Sequence, residues 1–306
     1  MIIVVALSPC VDRTMVVDQL IVGEVHRPSR ATVTPGGKGF NVARAAHTLG
    51  AGVVAFGIVG GHSGQWLRES LDELGVEHHL LAGVNETRTS TSIADASTGL
   101  MTDFYEPATP VTAAEWAELE SMVAAAITPG DWLSISGTTP SGSPPDAVAR
   151  LVAIAHAGRA HVGVDTHGSA LRNAASARPD LIKVNVSEAV GLLGADQRRD
   201  ARHLAQLLGK VADLAIVTAG VDGAVGGGHH VRSQTVGSYP VGSGDSFMAG
   251  LLTEFCRSTG DVIDSHVVRA ALITATAAAT ANALVPGAAV FSPADVEKLR
   301  PSIVVE

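Results

Sequence analysis

Aromatic side chains are scarce: three Trp, two Tyr and six Phe make up 4% of the 306 residues. A core without many large rings must be built from Ala, Val, Leu and Ile, which the 46% hydrophobic content supplies. Cysteine is nearly absent. Cys10 and Cys256 lie far apart in apolar surroundings, which suits two small buried hydrophobes in a reducing compartment better than a disulfide. Basic charge is in deficit, with 21 Lys and Arg against 30 Asp and Glu and a formal net charge of −9. That argues against nucleic-acid and anionic-membrane partners, which need basic surface. An anionic ligand must then be held by a local cluster of cations and backbone N–H groups. Long hydrophobic runs are missing too. Met1–Leu7 is apolar but stops at Ser8-Pro9 and lacks a basic leader, so it is too short for a span and wrongly flanked for a signal peptide. The Ala-rich stretch Thr274–Leu284 is punctuated by threonines and Asn282 and reads as a buried helix. Together these features point to a cytoplasmic protein.

Glycine, by contrast, is abundant, at 33 residues. That is too many for an all-helical chain and fits tight strand-to-helix turns. Short apolar runs at Ile2–Leu7, Val53–Val59, Trp132–Ser136, Val162–Asp165, Leu181–Val184 and Leu214–Thr218 read as strands buried on both faces of a parallel sheet. Helical patterns alternate with them. Thr112-Ala-Ala-Glu115 is a capping box ahead of Trp116, Leu119, Val123 and Ile127, which share one face. Ser292-Pro293 opens the last helix with a cap and an N1 proline. Two segments, approximately 12–34 and 86–105, are rich in Thr, Val and Ser and alternate like exposed strands. The expected architecture is one α/β domain over residues 1–306 with a small β-sheet appendage, without repeats or heptads. The twelve histidines form no ligand pattern, and His78-His79 and His229-His230 read as exposed loop residues.

Two glycine-rich turns carry the chemistry. The first is Thr34-Pro35-Gly36-Gly37-Lys38-Gly39-Phe40-Asn41. It is not a Walker loop, because Gly39 stands where a Ser or Thr would hold Mg²⁺, and the GxGxxG spacing is absent. It reads either as a backbone cradle for a ligand at a helix start or as a turn that lets a helix pack tightly on a strand. The second is Pro240-Val241-Gly242-Ser243-Gly244-Asp245-Ser246. Gly242, Ser243 and Gly244 are expected to present successive N–H groups as an anion hole. Asp245 alone would be an ordinary first-turn carboxylate, worth about 0.3–1 kcal/mol against the helix dipole. The glycines before it point instead to phosphoryl transfer, in which the N–H groups stabilise charge and the carboxylate takes the proton of the attacking hydroxyl.

These two turns resemble the paired signatures of the ribokinase-like PfkB sugar-kinase family, and further motifs follow in family order. Ser8-Pro9-Cys10-Val11-Asp12 resembles the segment whose aspartate grips sugar hydroxyls. Gly23-Glu24-Val25, Thr87-Arg88-Thr89, Asp103-Phe104-Tyr105-Glu106-Pro107 and Ser136-Gly137 with Pro140 resemble the 1-phosphofructokinase and tagatose-6-phosphate kinase branch. Lys183-Val184-Asn185-Val186-Ser187-Glu188 is similar to the element that organises Mg²⁺ and phosphates. Thr218–Ala224 is similar to the nucleotide loop.

The resemblance implies a doubly wound, mostly parallel sheet flanked by helices, with a small β-sheet lid through which two copies pair. It implies ATP and Mg²⁺, with K⁺ as a further ion, and a sugar phosphate as partner. Asp245 with Gly242, Ser243 and Gly244 would be catalytic. Asp12, Gly37, Lys38, Asn41, Arg88, Ser136 and Arg27 would bind substrate, with Arg88, Lys38 and Arg27 as the cationic cluster for its phosphate. Lys183, Asn185, Thr218, Gly220, Gly223 and Asn282 would bind nucleotide, and Glu188 with Asn185 the metal. The implied reaction is ATP-dependent phosphorylation of fructose 1-phosphate to the 1,6-bisphosphate. Tagatose-6-phosphate, fructose-6-phosphate or nucleoside phosphorylation, or a non-catalytic sugar-phosphate regulator, are the alternatives. The chain departs from the family at Val184, at Tyr239-Pro240, at Tyr105–Thr109, and at Gly226–His230, which lacks the usual strand-like run.

Overall fold

The computed structural model describes residues 1–194, 200–258 and 263–306. Its strands are β1 (Ile2–Ala6), β2 (Cys10–Val17), β3 (Arg30–Gly36), β4 (Val53–Val59), β5 (Glu77–Ala82), β6 (Thr89–Asp95), β7 (Met101–Tyr105), β8 (Trp132–Ser136), β9 (His161–Asp165), β10 (Leu181–Asn185), β11 (Leu214–Thr218), β12 (Ala224–Gly226), β13 (His229–Ser233) and β14 (Ile303–Val305). The helices are α1 (Lys38–Thr48), α2 (Gly61–Glu73), α3 (Ala113–Ala126), α4 (Ala147–Ala157), α5 (Gly168–Ser176), α6 (Val186–Leu193), α7 (Ala201–Leu208), α8 (Ser243–Arg257), α9 (Ser265–Ala283) and α10 (Pro293–Leu299).

Alternation along β1 shows why the apolar runs form a two-sided sheet. Ile2, Val4 and Ala6 pack with Phe40 and Val42 of α1 and with Met248 and Leu252 of α8. Ile3, Val5 and Leu7 pack on the other face with Trp116 and Leu119 of α3 and Leu151 of α4. Both sets are almost fully buried, because successive side chains point to opposite faces. The ten strands run in the order β14-β13-β12-β11-β10-β9-β8-β1-β4-β5. From β5 across to β11 every pairing is parallel, and β12, β13 and β14 extend the sheet antiparallel. The two capping boxes form as the sequence indicates: Thr112 with Glu115, and Ser292 with Asp295 behind Pro293.

The segments expected to form the appendage build a separate four-stranded sheet, β3-β2-β6-β7. Its register sets Thr34, Asp12, Ser90 and Tyr105 in one row across the strands, so these residues share a face. This sheet leaves the large one directly after β1 and after β5, above the ends of the parallel strands. The histidine expectation fails. His78 and His79 lie on β5, and His229 and His230 lie on β13. Gly226–His230 spans a hairpin: Gly226 ends β12, His229 and His230 begin β13, and Gly227 and Gly228 make the turn at φ 56° and 85°. Its strands alternate too weakly in polarity to be legible as such. No helix among the described residues is long and apolar enough to cross a membrane.

Candidate active site

The carboxyl ends of β1, β8, β9, β10 and β11 open into a cavity of about 880 Å³ roofed by the four-stranded sheet. That is where open α/β sheets place ligands. Two helices start in it, each behind a glycine at positive φ. Gly37 precedes α1 at φ 82° and Gly242 precedes α8 at φ 81°, and neither helix has a side-chain cap. Both glycines are required by close approach as well as by φ. A Cβ on Gly37 would lie 2.5 Å from the Ser8 carbonyl oxygen, and one on Gly242 would lie 2.7 Å from Ala288 Cα. Gly39 serves packing, since its Cβ would fall 2.4 Å from Ala6 Cα of β1. In the first glycine turn Gly37 thus lines the cavity, and Gly39 packs against the strand.

The second turn differs in detail from expectation. The Ser243 N–H donates to the Pro240 carbonyl at 3.0 Å, and its hydroxyl donates to the Ala279 carbonyl at 3.1 Å. Ser243 thus shapes the turn. The N–H groups of Gly244 and Asp245 belong to the first turn of α8, where no preceding helical carbonyl exists to receive them.

Asp245 is 6% exposed and lines the cavity. Its Oδ2 accepts from Asn41 Nδ2 at 2.9 Å, and Oδ1 has no protein hydrogen bond among the described residues. Burial, with the Asp165 carboxylate as second cause, pushes its carboxyl up to about 7, against the pull of Lys38, Asn41 and Lys183. Asp165 is fully buried at the end of β9. Lys38 donates to its Oδ1 at 2.8 Å, and the ammonium of Lys183, from β10, pairs with its Oδ2. Burial alone would raise Asp165, but the two lysines outweigh it and hold the carboxyl at about 2. Burial alone would lower Lys38, and Asp165, Asp245 and Glu188 outweigh that and hold it well above its ordinary value. Lys38 is therefore charged, and Asp245 is close to half-ionised at neutrality. A Cβ on Gly244 would lie 3.2 Å from Lys183 Nζ, so this ammonium stands beside the free N–H groups of α8.

The remaining predicted residues divide. Asp12, Arg88, Thr218, Gly220, Gly223, Asn185 and Glu188 all line the cavity. Asp12 accepts from the Cys10 thiol at 3.0 Å and from the Gly37 N–H at 3.3 Å. Arg88 is pinned, Nε donating to Ser8 Oγ at 2.9 Å and Nη1 to Ser90 Oγ at 3.0 Å and to the Glu106 carbonyl at 3.1 Å, with Nη2 reaching the Ser8 carbonyl at 3.3 Å. Asn185 and Glu188 form a capping box at the start of α6, which uses Glu188 Oε2 and Asn185 Oδ1. Oε1 is directed at Lys38, 3.8 Å away. That oxygen, left over by the capping box, fits Mg²⁺, which keeps several waters and takes one or two carboxylates. No group of three or more ligating side chains occurs among the described residues.

Three expectations need correction. Arg27 is exposed in the turn between β2 and β3 and does not line the cavity. Ser136 is fully buried, 3.4 Å from the Ser134 hydroxyl, and Gly137 and Thr138 line the cavity in its place. Asn282 is fully buried behind the α8 turn, donating to the Val241 carbonyl at 2.8 Å and to Ser243 Oγ at 3.0 Å. Its Oδ1 accepts from the Ala289 N–H at 2.6 Å, so it braces the turn rather than facing a nucleotide. Sequence reasoning passed over Asp165, although it ends a buried strand at the edge where such sheets bind ligands. It also passed over Arg44, whose guanidinium is buried and bonded to carbonyls.

With this geometry in place, known proteins can be compared. The profile of the pfkB family carbohydrate kinases matches residues 2–295. The chain belongs to the pfkB family of carbohydrate kinases. A 1-phosphofructokinase of Rhodobacter capsulatus is 31% identical over 261 residues, covering 81% of each chain. One from Xanthomonas campestris pv. campestris is 30% identical over 264 residues, covering 81% of this chain and 82% of the other. Phosphofructokinase-2 of Escherichia coli, solved in complex with potassium, superposes with a TM-score of 0.87 at 25% identity over 98% of both chains. A further structure of that protein shows its tetrameric inhibited form, with a TM-score of 0.84. The fold is thus ribokinase-like, and the family implies ATP and a divalent metal.

Proposed function

We propose that this kinase transfers the γ-phosphoryl group of ATP to a hydroxyl of a ketose phosphate, fructose 1-phosphate giving fructose 1,6-bisphosphate. The observation that carries the reading is Asp245: a buried carboxyl in the first turn of an uncapped helix, in the cavity that Lys38 and Lys183 also line. In this reading Asp245 Oδ1 takes the proton of the attacking hydroxyl as that oxygen bonds to the γ-phosphorus. The bond to the departing ADP oxygen breaks in the same step. The Gly244 and Asp245 N–H groups, with Lys183 and Lys38, stabilise the charge on the transferring group. Mg²⁺, when bound through Glu188, supplies neutralisation of the nucleotide phosphates.

Sugar hydroxyls are assigned to Asp12 and Asn41, and the sugar's own phosphate to Arg88, whose fourfold anchoring fixes the guanidinium in the cavity wall. The base of the nucleotide is assigned to the end near Thr218 and Gly223, where Val221 and Val236 are 69% and 67% exposed and offer apolar walls. The curated relatives, both named for 1-phosphofructokinase activity, favour fructose 1-phosphate over a 6-phosphate. The four-stranded sheet is read as a lid and as the contact between two copies. Val33 and Phe104, on its face away from Asp12, are 40% and 59% exposed. The potassium bound by the Escherichia coli relative extends the reading to K⁺ as an activating ion.

The test is a coupled ADP-release assay over phosphorylated and free ketoses, with K⁺ and tetramethylammonium salts in parallel and Asp245→Asn alongside. Turnover on a ketose phosphate and a loss of at least about 10²-fold in the variant are expected. Full activity in Asp245→Asn would sink the base assignment. No turnover on any sugar, with thermal stabilisation by a sugar phosphate, would favour a binding protein.

A further inference from the structure

Arg44 is a buried cation with no carboxylate bonded to it among the described residues. It is 6% exposed, and burial lowers its guanidinium to about 10 although Asp12 opposes the shift. Its Nη1 lies 2.9 Å from the Pro35 carbonyl oxygen, 3.1 Å from that of Ala288 and 3.3 Å from Asn41 Oδ1. Nη2 donates to the Ala289 carbonyl at 3.2 Å. Enclosing a charge in this way is costly unless the surrounding oxygens are fixed, and a long aliphatic side chain would fill the same volume of α1 without that cost. The identity of the four oxygens suggests what the charge does.

Pro35 is the last residue but one of β3, the root of the four-stranded sheet. Ala288 backs Gly242, whose missing Cβ would sit 2.7 Å from Ala288 Cα, and the Ala289 N–H bonds Asn282, which braces the α8 turn. Asn41 is one helical turn before Arg44 on α1, on the same face. Its amide bridges two partners: Oδ1 accepts from Arg44, and Nδ2 donates to Asp245 Oδ2 at 2.9 Å. Only one orientation of the amide satisfies both bonds. Rotated by half a turn, Asn41 would set its oxygen against the Asp245 carboxylate and its NH₂ against the guanidinium, two repulsive contacts in a buried site.

We propose that Arg44 is a positioning residue for phosphoryl transfer: it locks the Asn41 amide so that Asn41 donates to Asp245, and it clamps the lid root to the segment behind the anion hole. The proposal rests on the reading of Asp245 as the base. Its consequence is a defined direction in pH. The groups that face Asp245 are Lys38 and Asn41 from α1, Asp165 from the end of β9, Lys183 from β10 and Tyr105 from β7, with Glu188 reaching it only through Lys38. Among these, Asn41 is the one whose effect can reverse with side-chain orientation alone. A donating amide favours the carboxylate, whereas a flipped amide favours the protonated acid. Loss of Arg44 therefore raises the pH at which the base becomes active, even though Arg44 does not touch Asp245.

The test is a double-mutant cycle read by pH profile. Arg44→Met, Arg44→Lys, Asn41→Ala and the double variants are assayed for kcat and KM between about pH 5.5 and 9, with Asp245→Asn as reference. Arg44→Met is expected to lower kcat at neutral pH about 10- to 100-fold, to move the acidic limb of kcat upward, and to leave the KM for ATP within about twofold. Arg44→Lys keeps a charge and donors, and is expected to fold and to show a smaller shift in the same direction. It carries the test if Arg44→Met does not fold. In the Asn41→Ala background either Arg44 substitution should move the limb no further, because the amide through which it acts is gone. Losses that add, with an unmoved limb, in an enzyme that Asp245→Asn does silence would overturn the role of Arg44 alone. An enzyme indifferent to Asp245→Asn would overturn the base and the relay together.

Discussion

The helix starts of α1 and α8 share a positive-φ glycine, extended at Gly37 (ψ 148°) and left-handed at Gly242 (ψ −5°), and differ in charge. Each has a glycine at φ near 80° before its first residue, no side-chain cap, and a wall of backbone where a Cβ would go. From there they diverge. α1 presents a cation, Lys38, at its first position, although the positive end of a helix dipole disfavours one there. α8 presents an acid, Asp245, which the dipole favours. The dipole alone would therefore leave both groups near their ordinary titration ranges or below. Instead Lys38 is raised by Asp165, Asp245 and Glu188, and Asp245 is raised to about 7 by burial and Asp165. Position in the fold outweighs helix position: a dipole effect of about 0.3–1 kcal/mol is overridden at both groups, by neighbouring carboxylates at Lys38 and by burial at Asp245.

Asp165 mediates that difference, so removing it should have the largest effect. Asp165→Asn leaves the buried ammonium of Lys183 and the partly exposed one of Lys38 without their shared carboxylate. We expect a stability loss of about 3–5 kcal/mol in denaturant titration and a fall in kcat of at least about 10²-fold. Retention of both would show that Lys38 and Lys183 are neutralised by something else. The two glycines offer the next contrast. Gly37→Ala and Gly242→Ala each place a Cβ inside 3 Å of backbone at positive φ, a strain of about 1–3 kcal/mol. Gly37→Ala is expected chiefly to raise KM for the sugar, and Gly242→Ala to lower kcat. Identical kinetic phenotypes would dissolve the division of labour between the two turns. Arg88→Ala should raise KM several-fold for phosphorylated ketoses and leave free ketoses unaffected. An equal change for both would remove Arg88 from the phosphate site.

The smallest expected effect is on stability. Asp245 has a folded pKa raised above its unfolded value, so the unfolded state gives up its proton first as pH rises. Its cost to folding grows between about pH 4 and 7 and is fully present above that. Asp245→Asn should therefore raise Tm by more at pH 8 than at pH 5. The reverse ordering would mean that the carboxyl is not destabilised by burial.

Legibility from sequence followed the strength of the local signal. The central strands were readable because burial on both faces makes them continuously apolar, and Val53–Val59, Trp132–Ser136 and Leu214–Thr218 have the bounds the sequence indicates. The hairpin β12–β13 was hidden because its turn is bare glycine and its strands carry His229 and His230. β5 was hidden for a similar reason, as the edge strand Glu77–Ala82 mixes charge with apolar residues. In the site, the glycine turns were legible because glycine before a charged residue is a local pattern. Asp165 and Arg44 were not, because Asp165 finds its partners 18 and 127 residues away and Arg44 is tied also to carbonyls 244 and 245 residues away. Arg27 misled for the complementary reason: its charge was visible, but nothing nearby in sequence fixed where its turn would point.

The pH dependence of kcat/KM tests the central claim most directly, since it reports the base in the free enzyme. With wild type, the acidic limb should fall through a midpoint of about 7. In Asp165→Asn, which removes the neighbouring negative charge, the limb should move to lower pH, a shift that titration of the sugar phosphate itself would not produce. A wild-type profile flat from about pH 5.5 to 8, or a limb that stays in place in Asp165→Asn, would contradict the account.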